Sequence, residues 1–199
     1  MKNLPILLII FRFTLAPIII GLSSVYGENA SLAIVILMYL GLLSDILDGI
    51  LARKMEISTT KLRRLDSQVD MIFWISIGIS AWLLHADILS SKSTEIIILL
   101  ILEAMCYVIS FIRFGKETCT HAFLFKMFGL ALLLAFTAII GFGITGAAFN
   151  IAFIVALLAY TDRILIVLIL PYWTHDIPSC YHAYLIRKGR SFKRYKLFN

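Results

Sequence analysis

The sequence predicts an all-α integral membrane protein with six transmembrane helices and both termini on the cytoplasmic side. Three observations predict it. The 199 residues are 61% hydrophobic, more apolar surface than a soluble domain of this size can hide. The apolar residues fall into six runs, each long enough to cross a bilayer. The Lys and Arg residues fall on alternate connections, which orients the chain with its basic loops inside. One membrane domain, residues 1–199, accounts for the length, with a basic cytoplasmic tail over about 173–199. The net charge of +6 suits anionic lipid and does not call for nucleic acid.

The first span is read as Leu4 to Leu22. A signal peptide is the rival reading, and Arg12 in the middle of the run argues against it. An Arg inside a span is either a functional group or a side chain that snorkels to the near interface. Gly21–Ala30 is a short turn. The second span runs from Leu32 to Arg53, and a loop with Arg53, Lys54, Lys61, Arg63 and Arg64 follows on the cytoplasmic side. Ser58, Thr59 or Thr60 is positioned to cap the third helix, near Lys61. That helix provides the third span, Leu65 to Leu84.

The fourth span is Glu95 to Arg113, with Glu103 expected to face the interior, and the fifth is Ala122 to Ile144. Gly141, Gly143 and Gly146 at its far end suggest close helix packing. The sixth span, Ile151 to Tyr172, carries adjacent Asp162 and Arg163, read as an internal ion pair that locks helices. The tail is read as lying on anionic lipid or as plainly solvated. Cys106, Cys119 and Cys180 show no metal-ligand spacing and are read as free thiols in or facing a reducing compartment. His85, His121, His175 and His182 form no triad or ligand pattern.

The chemistry concentrates in residues 45–70, which hold Asp45, Asp48, Asp66 and Asp70. An Asp at the centre of a membrane helix costs roughly 2.5–3.5 kcal/mol, so these carboxylates need partners or nearby water. Asp45, Asp48, Gly49 and Ala52 share one helix face, and Asp66 and Asp70 share a face of the next helix. Two acidic faces on consecutive helices can converge on a cation. Oxygen-only ligands favour Mg²⁺, Mn²⁺ or Ca²⁺, and the absence of His and Cys argues against zinc. Gly49 leaves room for a ligand to approach the backbone. Arg53, one turn further on, can reach a phosphate. Asp45 lies about 12 Å deeper than Arg53 along the helix, so the expected site is a cavity open to the cytoplasm and the inner leaflet. The plain alternative is a set of acidic helix ends that solvate a cytoplasmic loop.

This stretch resembles the signature of the CDP-alcohol phosphotransferases, DxxDGxxAR followed by GxxxDxxxD. Asp45, Asp48, Gly49, Ala52, Arg53, Asp66 and Asp70 match, with Leu62 in place of the second glycine. Asn3, Leu4, Pro5, Arg12 and Pro17 also look like the start of these enzymes. The resemblance implies a divalent-metal-dependent transferase of phospholipid biosynthesis. It would move a phosphatidyl or related group from a CDP-activated lipid, CDP-diacylglycerol by expectation, to a small alcohol and release CMP. It implies two Mg²⁺ or Mn²⁺ ions on the four aspartates, Asp70 as the base, and CDP or phosphate contacts from Asp48, Gly49, Ala52, Arg53 and Asp66. Arg113, Lys116 and Lys126 are the candidates for an anionic acceptor, and the basic inside rule explains them equally well. Asp66-Ser67 looks like the serine-using branch without deciding the acceptor. A homodimer in a bacterial inner membrane, its site facing the cytoplasm, completes the expectation. Two other readings stand beside it: a divalent-cation or small-solute transporter, whose acids would sit nearer the midplane, and an inactive relative, suggested by Leu62.

Overall fold

In the computed structural model, residues 4–54, 59–116, 122–174 and 177–190 are described, with backbone only at 52, 53, 60, 61 and 63. These residues form eight α-helices: α1 (Leu4–Tyr26), α2 (Ser31–Lys54), α3 (Thr60–Leu84), α4 (Ala86–Ser90), α5 (Ser93–Phe114), α6 (Phe123–Phe142), α7 (Gly146–Ile169) and α8 (Cys180–Arg187). Five stretches are long and apolar enough to cross a membrane: Leu4–Leu51, Arg64–Leu84, Ser93–Phe114, Phe123–Phe142 and Gly146–Ile169. The first of them holds both α1 and α2. The protein is therefore a multi-pass integral membrane protein.

The chain divides into two compact units. The first comprises Met1–Ser90 with Phe136–Thr145. Within it α1 packs against both α2 and α3. The buried side of α1 is Pro5, Ile9, Arg12, Leu15, Ala16, Ile19 and Ser23, a stripe at helical spacing with one charge in its middle. Ile34 and Met38 of α2 and Val69, Phe73 and Ile77 of α3 are buried as well. A short 3-10 turn, Gly27–Ala30, joins α1 to α2, and Gly27 takes the positive φ of 56° that reverses the chain. The reversal makes α1 and α2 an antiparallel hairpin, so a residue midway along α1 meets one midway along α2. α3 runs parallel to α1: its lower half meets Arg12, and Ser80 accepts a 3.1 Å hydrogen bond from Ser23. Gly41 of α2 lies against the ring of Phe73; a Cβ there would stand 2.1 Å from Phe73 Cζ.

Thr59 caps α3, its Oγ1 accepting from the Leu62 N–H at 3.2 Å. The sequence offered three candidates for this cap, and the middle one holds the position. His85 closes the other end of α3.

The second unit comprises Ser91–Ala135 with Gly146–Asn199. Here α7 carries Ala152, Ala156 and Ala159 on its buried side. Ala152 packs with Ala131 and Ala135 of α6, and Ala156 and Tyr160 with Cys106 of α5. Small residues permit this close approach where lipid supplies no hydrophobic drive. Ile166 and Leu170 continue the packing against Ala122, Ile177 and Ala183 of α8.

Two expectations need correction. Asp162 and Arg163 do not pair with each other. Adjacent residues on a helix point about 100° apart, and each finds its own partner. Arg163 donates to both carboxylate oxygens of Glu103, at 3.1 and 3.3 Å, and lies over the Phe125 ring at 4.6 Å. Asp162 accepts from the Cys180 backbone N–H at 2.8 Å and ties the start of α8 to α7. The glycine cluster serves backbone conformation as well as packing. Gly143 and Gly146 have φ of 63° and 41°, in the left-handed region, where they end α6 and begin α7. Gly141 faces Val35 across an ordinary contact, and Gly143 lies against His85 and Ile88.

Candidate active site

The site lies in the first unit and is built by α1, α2 and α3. Asp45 and Asp48 sit near the end of α2, one turn apart; Asp66 and Asp70 sit near the start of α3, also one turn apart. Hairpin reversal and capped restart bring these two ends together. The four carboxylates meet around one side chain, Arg12 of α1. Its Nη1 donates to Asp45 Oδ1 and is paired with Asp70 Oδ1 at 2.6 Å. Its Nη2 donates to Asp48 Oδ2 at 3.0 Å and to Asp66 Oδ1 at 2.5 Å.

Exposure grades the group. Arg12 is fully buried and the Asp48 side chain is 4% exposed, while Asp66, Asp45 and Asp70 stand at 22%, 32% and 34%. Asp48 and Arg12 form the floor, and Asp45, Asp66 and Asp70 form a rim open to ligand. The full burial of Arg12 removes the snorkelling reading. The spacing pattern leaves Arg12 unassigned because it reports only neighbours on one helix. A signal was nevertheless present: Arg12 and Asp45 stand at nearly equal distances from the Gly27–Ala30 turn, so an antiparallel hairpin places them side by side.

The donor set suits a hard divalent cation. One oxygen each of Asp45, Asp48 and Asp66 lies within 4.8 Å of the others, the spread expected of ligands around an ion bound at about 2.0–2.6 Å. Among the described contacts, one guanidinium, that of Arg12, is shared by all four carboxylates.

The remaining predicted residues are distributed as follows. Gly49 follows Asp48 on α2 and is half-buried. Ala52 and Arg53 lie in the last turn of α2, their side chains outside the described atoms. Leu62 is half-buried in the first turn of α3, one turn before Asp66. The acceptor candidates belong to the second unit. Arg113 donates to the Leu170 carbonyl at 2.9 Å at the end of α7. Lys116 lies over the Trp173 ring at 4.9 Å, and Lys126 is exposed on α6. Cys106 and Cys180 carry no disulfide; Cys119, His121 and His175 lie outside the described residues.

The family model for CDP-alcohol phosphatidyltransferase matches residues 2–175. The chain belongs to that family. No curated protein and no solved structure matches it. As a CDP-alcohol phosphatidyltransferase it is a membrane transferase of phospholipid biosynthesis, moving a phospho-alcohol group from a CDP-alcohol to an acceptor alcohol. The family is typically dependent on a divalent metal, and the Asp45, Asp48 and Asp66 cluster is where this CDP-alcohol phosphatidyltransferase can hold one.

Proposed function

We propose that the protein transfers a phosphatidyl group from CDP-diacylglycerol to the hydroxyl of a small alcohol, releasing CMP, at the cytoplasmic face of a six-span protein. The convergence of the four carboxylates on one locus carries the reading. Asp45, Asp48, Asp66 and Asp70 hold Mg²⁺ or Mn²⁺. When bound, the metal supplies charge neutralisation at the pyrophosphate and acidifies the attacking hydroxyl.

The acceptor oxygen forms a bond to the lipid-side phosphorus. The bond from that phosphorus to the bridging oxygen breaks, and the electron pair leaves with CMP. Asp70 accepts the hydroxyl proton; its place on the exposed rim supports this role. Asp48 and Asp66 orient the donor, Gly49 and Ala52 keep the cytidine side narrow, and Arg53 offers a bidentate contact to phosphate. Arg113, Lys116 and Lys126 are the candidates to bind an anionic acceptor such as a sugar or glycerol phosphate. A homodimer is part of the same proposal.

The test is CMP release by purified protein with CDP-diacylglycerol and Mg²⁺ or Mn²⁺. The acceptors to compare are glycerol 3-phosphate, serine, inositol and inositol phosphate. Release that depends on one acceptor and disappears in Asp70→Asn is the expected result and names the product. Failure to bind any cytidine nucleotide in the presence of metal would refute the assignment and point to Leu62.

A further inference from the structure

Among the described residues, Arg12 is the basic side chain in contact with all four acids, and it is the most deeply buried of the five. Its two terminal nitrogens reach all four carboxylates. Its Nε, equally buried, has no hydrogen-bond partner. A buried guanidinium normally has every N–H engaged. Arg12 therefore pairs with the cluster without being fully satisfied by it. An ion coordinated by Asp45, Asp48 and Asp66 must approach the same carboxylates that Nη1 and Nη2 now hold. In a site with a buried floor, a divalent ion and a guanidinium a few ångströms apart repel strongly.

We propose that the Arg12 guanidinium and a divalent cation are alternative counter-ions of these four carboxylates, so that metal binding draws Arg12 out of the cluster. Arg12 is a positioning residue. It keeps the ends of α2 and α3 together while four like charges would otherwise drive them apart, and it sets the threshold of metal concentration at which the site converts. The inference rests on the metal-holding role proposed above and deepens it. It requires nothing about donor or acceptor.

The test uses the full chain in detergent and no substrate. Arg12 in the unaltered protein is labelled with phenylglyoxal and quantified by peptide mass spectrometry, in chelator and in saturating Mn²⁺, normalised to exposed Arg190. Labelling should be slow in chelator and rise about fivefold or more with Mn²⁺, as expected when a fully buried side chain becomes accessible. Mn²⁺ affinity is measured in parallel by titration calorimetry. Arg12→Gln should bind Mn²⁺ about tenfold tighter or more, since one repelling unit charge is gone, and Arg12→Lys should fall between. Arg12→Gln should also unfold at lower temperature in chelator and regain the loss with Mn²⁺. Ser23→Ala, which removes an α1–α3 hydrogen bond away from the acids, should show neither change in Mn²⁺ affinity nor rescue by metal. Mn²⁺ binding with unchanged Arg12 labelling would overturn the proposal and leave the metal site standing. Weaker Mn²⁺ binding in a folded Arg12→Gln would overturn it too, since it would make Arg12 a scaffold for the metal. No Mn²⁺ binding in any of these proteins would overturn both readings.

Discussion

Gly41 offers a severe test of how the site is held. A Cβ at this position would lie 2.1 Å from Phe73 Cζ and 2.7 and 2.8 Å from the two ring carbons beside it. Ordinary carbon contacts are about 3.5–4.0 Å, so Gly41→Ala demands a displacement of about 1.4 Å or more. Phe73 is 1% exposed and packs edge-on against Trp74, which stacks on Phe136. The ring has little room to turn away, and much of the displacement passes to α2. Overpacking of this kind costs about 1–3 kcal/mol. The functional loss should be larger. Asp45 and Asp48 stand one and two turns beyond Gly41 on the same helix, and their contacts with Arg12 are short. Misplacement of reacting groups by about 1 Å can cost 10²-fold in rate. Gly41→Ala should lower the thermal midpoint in detergent and reduce CMP release by about that factor. Phe73→Leu, which shortens the obstructing side chain, should restore part of both in the double variant. A Gly41→Ala protein with unchanged midpoint and unchanged turnover would refute the close α2–α3 approach and the site positioning derived from it.

Three further outcomes follow from the same geometry. Chelation should abolish turnover, and Mg²⁺ or Mn²⁺ should restore it better than Zn²⁺, because the donors are all carboxylate oxygens; restoration by Zn²⁺ alone would contradict that donor set. Glu103→Gln should destabilise by about 1.5–3 kcal/mol, the worth of a hydrogen bond to a charged group, because Arg163 keeps its buried position and loses its anion; a chemical denaturation series measures it, and no change would mean that the rings of Phe125 and Tyr107 suffice to hold Arg163. The hydrogen bond to the Asp162 carboxylate, with burial adding to it, pushes the Cys180 thiol above its ordinary value. Maleimide labelling of Cys180 should therefore still be climbing at a pH where a free thiol has levelled off, and Asp162→Asn should shift the profile to lower pH; coincident profiles would refute the Asp162 contact.

The site was partly legible because its signals are local. Asp45 with Asp48, and Asp66 with Asp70, each share a helix face by spacing alone, and apolar runs on both sides place them at helix ends near a membrane. Arg12 was legible only as an oddity. Nothing within its own helix explains it, since its hydrogen-bonded partners Asp45, Asp48 and Asp66 lie 33 to 54 residues away in the chain. The same limit applies to Asp162 and Arg163. Their adjacency in the chain suggested a pair, whereas the helix turns them apart, toward Cys180 and Glu103.

By itself the sequence determined the solvent of this protein, the near-helical bounds of its spans and the residue types of its acidic site. Each of these depends on composition or on a period of a few residues, and each survives any arrangement of the helices. Tertiary structure alone decided that a buried arginine from α1 sits at the centre of the four aspartates, that Gly41 must remain without a side chain, and that Gly143 and Gly146 bend the backbone. Those facts arise where segments distant in sequence meet or where φ turns positive. A hydrophobic pattern constrains which face of a helix is buried, and leaves open what that face will touch.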